Sequence, residues 1–452
     1  MQKTSLLVAL SFFSCGPLKD FIDEDKADEN VINRVPLMAT AISGTCAILE
    51  TGQLKCWGDN SVGQLGKGNT ENLGDKPDQM GDNLQPVDLG IDRTVRSVSS
   101  STGVTCAILD NSHLKCWGGN SKGTLGQGHT NNIGDLPDQM GDNLRPIDLG
   151  TGKYALSVAV NGSNACAILN DSTLKCWGDG QAGQTGQGSA FWIGDEPGQM
   201  GDNLSPIDLG TGRTAIQVSV GGQHICALLD NGTVKCWGFT GLGQGVDTAI
   251  GNLPGQMGDN LMPIDLGSEF KVTMIATGSS HSCALLSDGS VKCWGINSYG
   301  QLGLGNTNHV GEEPGQMGDN LPPIDLGLNK TAKKIFAGTF TTCALLNDGI
   351  AKCWGYLPTN PVFSESIISG DEPNEMGDNL IPLSFGSGKS VVDISITTSN
   401  ICALLNDQSI KCWGKGSDGA NGQENADFIP QKVDSLGENL APINLGTKPA
   451  GE

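Results

Sequence analysis

The stretch CAILETGQLKCWG, residues 46–58, sets two cysteines around an apolar run and a turn, then ends on Lys55-Cys56-Trp57-Gly58. Taken alone it fits a metal site, a redox motif or a piece of architecture. Its recurrence decides among them. The pattern Cys-Ala-(Ile/Leu)-Leu, six variable positions, Cys-Trp-Gly begins at Cys46, Cys106, Cys166, Cys226, Cys283, Cys343 and Cys402. The intervals are 60, 60, 60, 57, 60 and 59 residues. A second phrase closes each unit, as in QMGDNLQPVDLG (79–90) and EMGDNLIPLSFG (375–386), and decays in the last to SLGENLAPINLG (435–446). Seven units therefore fill residues 35–446.

Length alone, at 452 residues, would suggest two to four domains, but a repeat overrides that count. With 66 glycines, 20 prolines and no periodic helical stripe, many short strands joined by turns are expected. The second unit shows four strand candidates: 95–99 (VRSVS), 105–109 (TCAIL), 114–117 (LKCW) and 146–149 (PIDL). Four short antiparallel strands per repeat of about 60 residues is the signature of a propeller blade. One such sheet cannot bury both faces; neighbours cover them, and closing the ring removes the ends. The expected fold is all-β, a single seven-bladed β-propeller.

The glycine-rich CALL–CWG–N-x-x-GQLG pattern resembles the repeat family named after the regulator of chromosome condensation. Units one, two and five carry it most completely, in DNSVGQLGKGNT (59–70), GNSKGTLGQGHT (119–130) and INSYGQLGLGNT (296–307). The resemblance spans about 90 % of the chain and implies a seven-bladed propeller, in agreement with the repeat count. WD and kelch propellers fit less well, because their periods are nearer 40–50 residues.

Two cysteines per unit follow from hairpin arithmetic. In Leu229-Asp230-Asn231-Gly232-Thr233 a three-residue loop sets Leu229 opposite Thr233 and, counting outward, Cys226 opposite Cys236. Directly opposed residues have Cα atoms about 4.5–5.5 Å apart, within disulfide reach. The same count pairs Cys46 with Cys56, Cys106 with Cys116, Cys166 with Cys176, Cys283 with Cys293, Cys343 with Cys353 and Cys402 with Cys412. A zinc site needs three or four ligands, and the five histidines do not track the cysteines. A redox pair normally sits closer in sequence. Reduced thiols packed in the core remain the alternative to bridges. Trp57 and its counterparts Trp117, Trp177, Trp237, Trp294, Trp354 and Trp413 are expected to wedge between blades. Met80, Met140, Met200, Met257, Met317 and Met376 are expected to pin the long loop.

Residues 1–15, MQKTSLLVALSFFSC, have Lys3, an apolar run over 6–13 and Cys15, the layout of a short bacterial export signal. Cys15 resembles the lipidated cysteine of bacterial lipoproteins, although Phe12 and Phe13 depart from that pattern; a plain cleaved signal is the alternative. Residues 16–34 form an acidic tether and 447–452 a tail. The formal charge of −22 repels phosphate backbones and anionic surfaces, so no nucleic-acid partner is expected, and a membrane is reached through the lipid anchor alone.

The first-to-second and third-to-fourth loops of each unit emerge on one face, where recognition is expected. The acidic loops, for example Asp75 with Asp82 and Asn83, invite calcium, yet they lack the dense Asp-x-Asp-x-Asp-Gly spacing, and no metal or other cofactor is assigned. Candidate contact residues lie where the repeats diverge: Phe191 and Trp192 in unit three, Phe239 in unit four, Tyr356 and Phe363 in unit six. His224 and His281 are expected at the surface or lining turns. No Ser–His–Asp constellation, phosphate loop or metal motif emerges, so an enzyme is not expected.

The expectation is an exported, cell-envelope or secreted, monomeric scaffold that binds a protein through its loop face. Chromatin-bound members of the resembled family act as exchange factors for a nuclear GTPase; the leader, the acidity and the bridges argue against that here. A secreted bacterial relative that inhibits beta-lactamases offers a second reading, a secreted enzyme inhibitor. A lectin-like cell-wall or glycan binder is a third.

Overall fold

The computed structural model describes residues 38–41, 44–246, 248–357, 368–397, 399–427, 429, 437 and 439–446. Cys15, Phe363, the leader, the tether and the tail lie outside them. The described chain forms seven antiparallel sheets, one per unit, and no α-helix; Gly-Asp-Asn makes a single 3-10 turn, as at Gly141–Asn143.

In the second unit the strands run Val95–Ser101, Val104–Leu109 and Leu114–Gly118. Each first strand touches the first strand of both neighbouring blades, so these strands line the centre of a closed ring. The hairpin register is the expected one, with Cys106 opposite Cys116 and Thr105 opposite Trp117. The turn is also as expected: the Leu229 amide donates to Thr233 O at 2.8 Å, and Gly232 sits at φ +82°. All seven cysteine pairs are disulfides, with Cα atoms 4.0–4.1 Å apart.

The fourth strand differs from expectation. Six sheets have three regular strands, and the outer edge of the third strand is shared by two short segments. At the loop-face end Gly118 bridges Ile133; at the other end Ile147 donates to Leu114 O at 2.7 Å. Among the described residues, only unit six extends the first segment into a strand, Ile368–Ser369. The PIDL segment cannot run further along the edge. Pro146 has no amide hydrogen to give, and the Asp148 carboxylate turns back to cap Gly150 N at 2.9 Å.

The core lies between blades, not inside them. The face of blade one bearing Cys46, Ile48, Leu54 and Cys56 packs against Ala107, Leu109 and Trp117 of blade two. The next seam repeats this, Cys106 and Cys116 lying in one cluster with Trp177. Every one of the seven tryptophans in the series is fully buried. Several also anchor the preceding blade's loop: the Trp117 indole donates to Gln64 O at 3.0 Å and Trp177 to Thr124 O at 2.8 Å. Met80, Met200 and Met376 are buried and Met140 is partly so, with Met140 and Met200 against the glycines Gly66 and Gly126 of the preceding loop.

The lysine before each second cysteine is a component the sequence did not reveal. Lys55, Lys115, Lys175, Lys235, Lys292, Lys352 and Lys411 are all buried. The Lys115 ammonium donates to Leu89 O at 2.9 Å and to Gly141 O at 2.8 Å, tying the preceding unit's closing phrase to its own unit's turn. Burial lowers the pKa of Lys55, Lys115, Lys175 and Lys235, and nearby aspartates such as Asp142 oppose that shift.

The same parts seal the ring. Lys55 donates to Gly81 O at 3.0 Å and to Leu445 O at 2.8 Å, joining unit one to the end of unit seven. The Gly81 amide donates to Asn444 O at 3.0 Å, and the Met80 amide to the Glu424 carboxylate at 2.8 Å. Ala47 and Trp57 pack with Cys402, Leu404, Ile410 and Cys412. Closure is therefore a seventh copy of the ordinary seam.

Candidate functional site

The loops between first and second strands and those leaving the third strand share one face. Two aromatic groups stand on it. In the first, Tyr299 lies 5.0 Å from Phe340 and 5.5 Å from Tyr356, measured between ring centroids. Tyr299 comes from the unit-five loop, Phe340 from the first-to-second loop of unit six, and Tyr356 ends the third strand of that unit, Ala351–Tyr356. Three rings from two blades thus form one cluster.

The second group is on unit three. Phe191 is 79 % exposed, and Trp192 is half-buried with the Lys122 ammonium 3.9 Å from its ring centroid. Its backbone placement follows from a substitution between repeats. In units one and two the loop is braced by asparagines: Asn72 Oδ1 accepts from the Asn60 amide at 3.0 Å, and Asn132 Oδ1 from Asn120 at 3.1 Å. Unit three has Gly180 and Trp192 at those positions. A Cβ on residue 180 would stand 2.0 Å from Phe191 O, so only glycine lets the loop settle there.

Of the expected contact residues, Phe191 and Trp192 stand together, Tyr356 joins the other group, and Phe239 is half-buried at the end of its third strand. Tyr299, Phe340 and Lys122 were missed. The signal was available for two of them: Tyr299 and Lys122 occupy the one variable slot of an otherwise regular N-S-x-G phrase, where unit one has Val62.

Within the acidic loops, aspartates of the Gly-Asp-Asn turns bond the chain just after the preceding closing phrase. Asp202 accepts from the Thr151 amide at 2.9 Å and its hydroxyl at 2.6 Å, and Asp259 does the same for Thr211 at 2.8 and 2.6 Å. Those hydrogen bonds hold both carboxyls below the usual range. Among the described residues no three metal-donor side chains gather.

His224 and His281 are not at the surface: both are fully buried. Each lies at the start of a second strand and reaches the next blade, His224 Nε2 to Ser282 Oγ and His281 Nε2 to Thr342 Oγ1, both at 2.9 Å. Thr342 spends its own hydrogen on Gln301 O at 2.8 Å. His281 must therefore donate through Nε2, and its Nδ1 is left without a partner. The rings fill space over Gly221 and Gly278, which spacing alone could not show.

Burial lowers the pKa of His224 to about 4 and of His281 to about 3, from an ordinary value of 6.5. Unfolding below pH 6.5 thus takes up protons the folded ring excludes. Stability is full above pH 6.5 and falls as the pH drops toward 4, by about 2–3 kcal/mol per histidine at pH 4.5. Asp393, whose burial raises its pKa to about 6, offsets part of this below pH 6. Units three and seven carry Asn164 and Asn400 at the same position. His224→Asn with His281→Asn is expected to flatten the acid limb in urea titrations at pH 4.5–7; an unchanged limb would contradict the assignment.

The family model "Regulator of chromosome condensation (RCC1) repeat" matches residues 43–64, 215–244 and 272–301, and a second model of the same description matches 288–345. The chain is 27 % identical over 415 residues to the Arabidopsis thaliana Ultraviolet-B receptor UVR8, covering 88 % of this chain and 82 % of that one. It is 29 % identical over 273 residues to the Mus musculus E3 ubiquitin-protein ligase HERC2, covering 58 % of this chain but only 5 % of that protein. Among solved structures, human WBSCR16 has a TM-score of 0.61 at 18 % identity, covering 82 % of this chain and 90 % of that one. Prp20p from Saccharomyces cerevisiae, studied with its binding properties to Gsp1p and histones, has a TM-score of 0.55 at 20 % identity, covering 84 % and 86 %. The two structures bear on the fold.

Proposed function

We propose that this chain, a propeller of the regulator of chromosome condensation repeat family, is a non-catalytic, exported or surface-anchored scaffold that binds a protein through its loop face. The observation that carries the reading is the pair of aromatic groups on that face, both placed where the repeats depart from one another. Exposed or half-exposed rings on a rigid frame are the usual anchors of protein interfaces. Yeast Prp20p, studied for its binding to Gsp1p and histones, meets proteins, which supports the partner class.

Export is supported by the leader-like layout of residues 1–15 and by seven disulfides, which persist in oxidising compartments. Cys15, the one cysteine outside the ring, is then the lipid anchor. Exchange activity on a nuclear GTPase remains disfavoured by the charge of −22 and by those bridges.

The test is capture from surface extracts with matched variants. Tyr299→Ala with Tyr356→Ala, and Phe191→Ala with Trp192→Ala, are each expected to reduce capture of the partner about tenfold or more, with little change in melting temperature. Ile91→Ala, 76 % exposed on the opposite face, is expected to leave capture unchanged. Loss with Ile91→Ala and none with the aromatic variants would move the site to the tight-turn face and end this reading.

A further inference from the structure

A groove of about 590 Å³ opens beside the unit-three loop, lined by Gln181, Phe191, Trp192, Asp195 and Glu196 among others. Its chemistry is aromatic on one side and anionic on the other. Asp195 and Glu196 have no ion-pair partner among the described residues, while the ring of Trp192 already holds a cation. Lys122 reaches across from unit two, its ammonium 3.9 Å from that ring and 3.9 Å from the Asp179 carboxylate.

The groove also replaces something. Units one and two spend these positions on the Asn60–Asn72 and Asn120–Asn132 braces, whereas unit three gives up the brace and presents rings instead. A half-buried Trp192, beside an exposed Phe191, stands where those two units keep Asn72 and Asn132, and rings so presented on a rigid frame mark a position suited to contact.

We propose that this groove receives an arginine or lysine side chain from a basic segment of the protein partner, stacked on Phe191 and Trp192 and paired with Asp195 and Glu196. The inference rests on the protein-partner reading above. Charge complementarity selects the occupant: a chain of net charge −22 offers unpaired carboxylates beside π-faces, the combination that attracts cations. Lys122 is then an internal competitor for one ring, and a ligand cation has to displace it or use Phe191.

The experiment titrates fluorescently labelled hexa-arginine peptide into the full chain and reads anisotropy. Trp192→Ala is expected to weaken binding about tenfold. Asp195→Asn with Glu196→Gln should do likewise. The matched change Glu312→Gln with Glu313→Gln, which removes the same charge from the equivalent turn of unit five, should alter binding less than about twofold. Lys122→Met, by freeing the ring, should tighten binding about threefold or more.

Equal losses in the two charge-matched variants would reduce the effect to the general acidity of the ring and overturn the proposal, as would weaker binding with Lys122→Met. Binding of an N-acetylglucosamine oligomer that depends on Trp192, with hexa-arginine indifferent to it, would assign the groove to sugar instead. Should hexa-arginine ignore Trp192 while partner capture still needs it, the cationic occupant fails and the protein-partner reading stands.

Discussion

Reduction of the seven bridges is expected to unfold the ring. Each closes a loop of about ten residues, and the chain-entropy model gives such a loop about 2.5–3 kcal/mol. The loops do not overlap, since each lies within its own hairpin, so their contributions to the unfolded ensemble are expected to add. Even a fraction of that total approaches the about 5–15 kcal/mol that holds a typical domain together. The sulfurs are well shielded: the fourteen cysteines are 0–2 % exposed. Native protein should therefore resist reductant alone and lose its structure once mild urea lets the blades open. Refolding from the reduced state should fail. Replacing a single pair, Cys166→Ala with Cys176→Ala, should cost about 2–3 kcal/mol, read from the urea midpoint. Full stability after complete reduction would show that the bridges are incidental to a ring held by packing.

How much of this was legible in the sequence varies with the kind of interaction. The strands and bridges were readable because a period of about 60 residues fixes the register, and the register sets Cys226 opposite Cys236. The fourth strand was only half readable. An apolar alternation in PIDL looks like a strand, but whether an edge accepts it depends on Pro146 and on where the Asp148 carboxylate turns. The buried lysines were not readable at all. A lysine between apolar residues normally reads as a solvated position, and the two carbonyls that hold Lys115 come from segments 26 residues to either side. His224 and His281 were misplaced for a related reason, because the hydroxyls they meet belong to the next blade. For the candidate site, divergence between repeats pointed to Trp192 and Tyr356. The partners of those residues, Lys122, Tyr299 and Phe340, came into view only with blades side by side.

Trp57→Ala and Trp177→Ala are expected to destabilise the protein alike, by about 3–5 kcal/mol each. Both indoles are fully buried against the disulfide face of the preceding blade. For Trp177 that blade is the previous one in sequence, whereas for Trp57 it is unit seven, at the far end of the chain. The two costs should differ by no more than about 1 kcal/mol, the share of the hydrogen bond that Trp177 makes to Thr124 O. A cost near zero for Trp57→Ala, beside a full cost for Trp177→Ala, would mean that units one and seven are free ends. Lys55→Met should follow the same rule, since it leaves Gly81 O and Leu445 O without their donor.

The most direct measurement is a peptide map of the unreduced protein by mass spectrometry. Seven linked pairs, each joining cysteines ten positions apart within one unit, with Cys15 alone outside the set, is the predicted result. Free thiols throughout, or links between different units, would contradict a ring of individually stitched blades and the rigid face that depends on it.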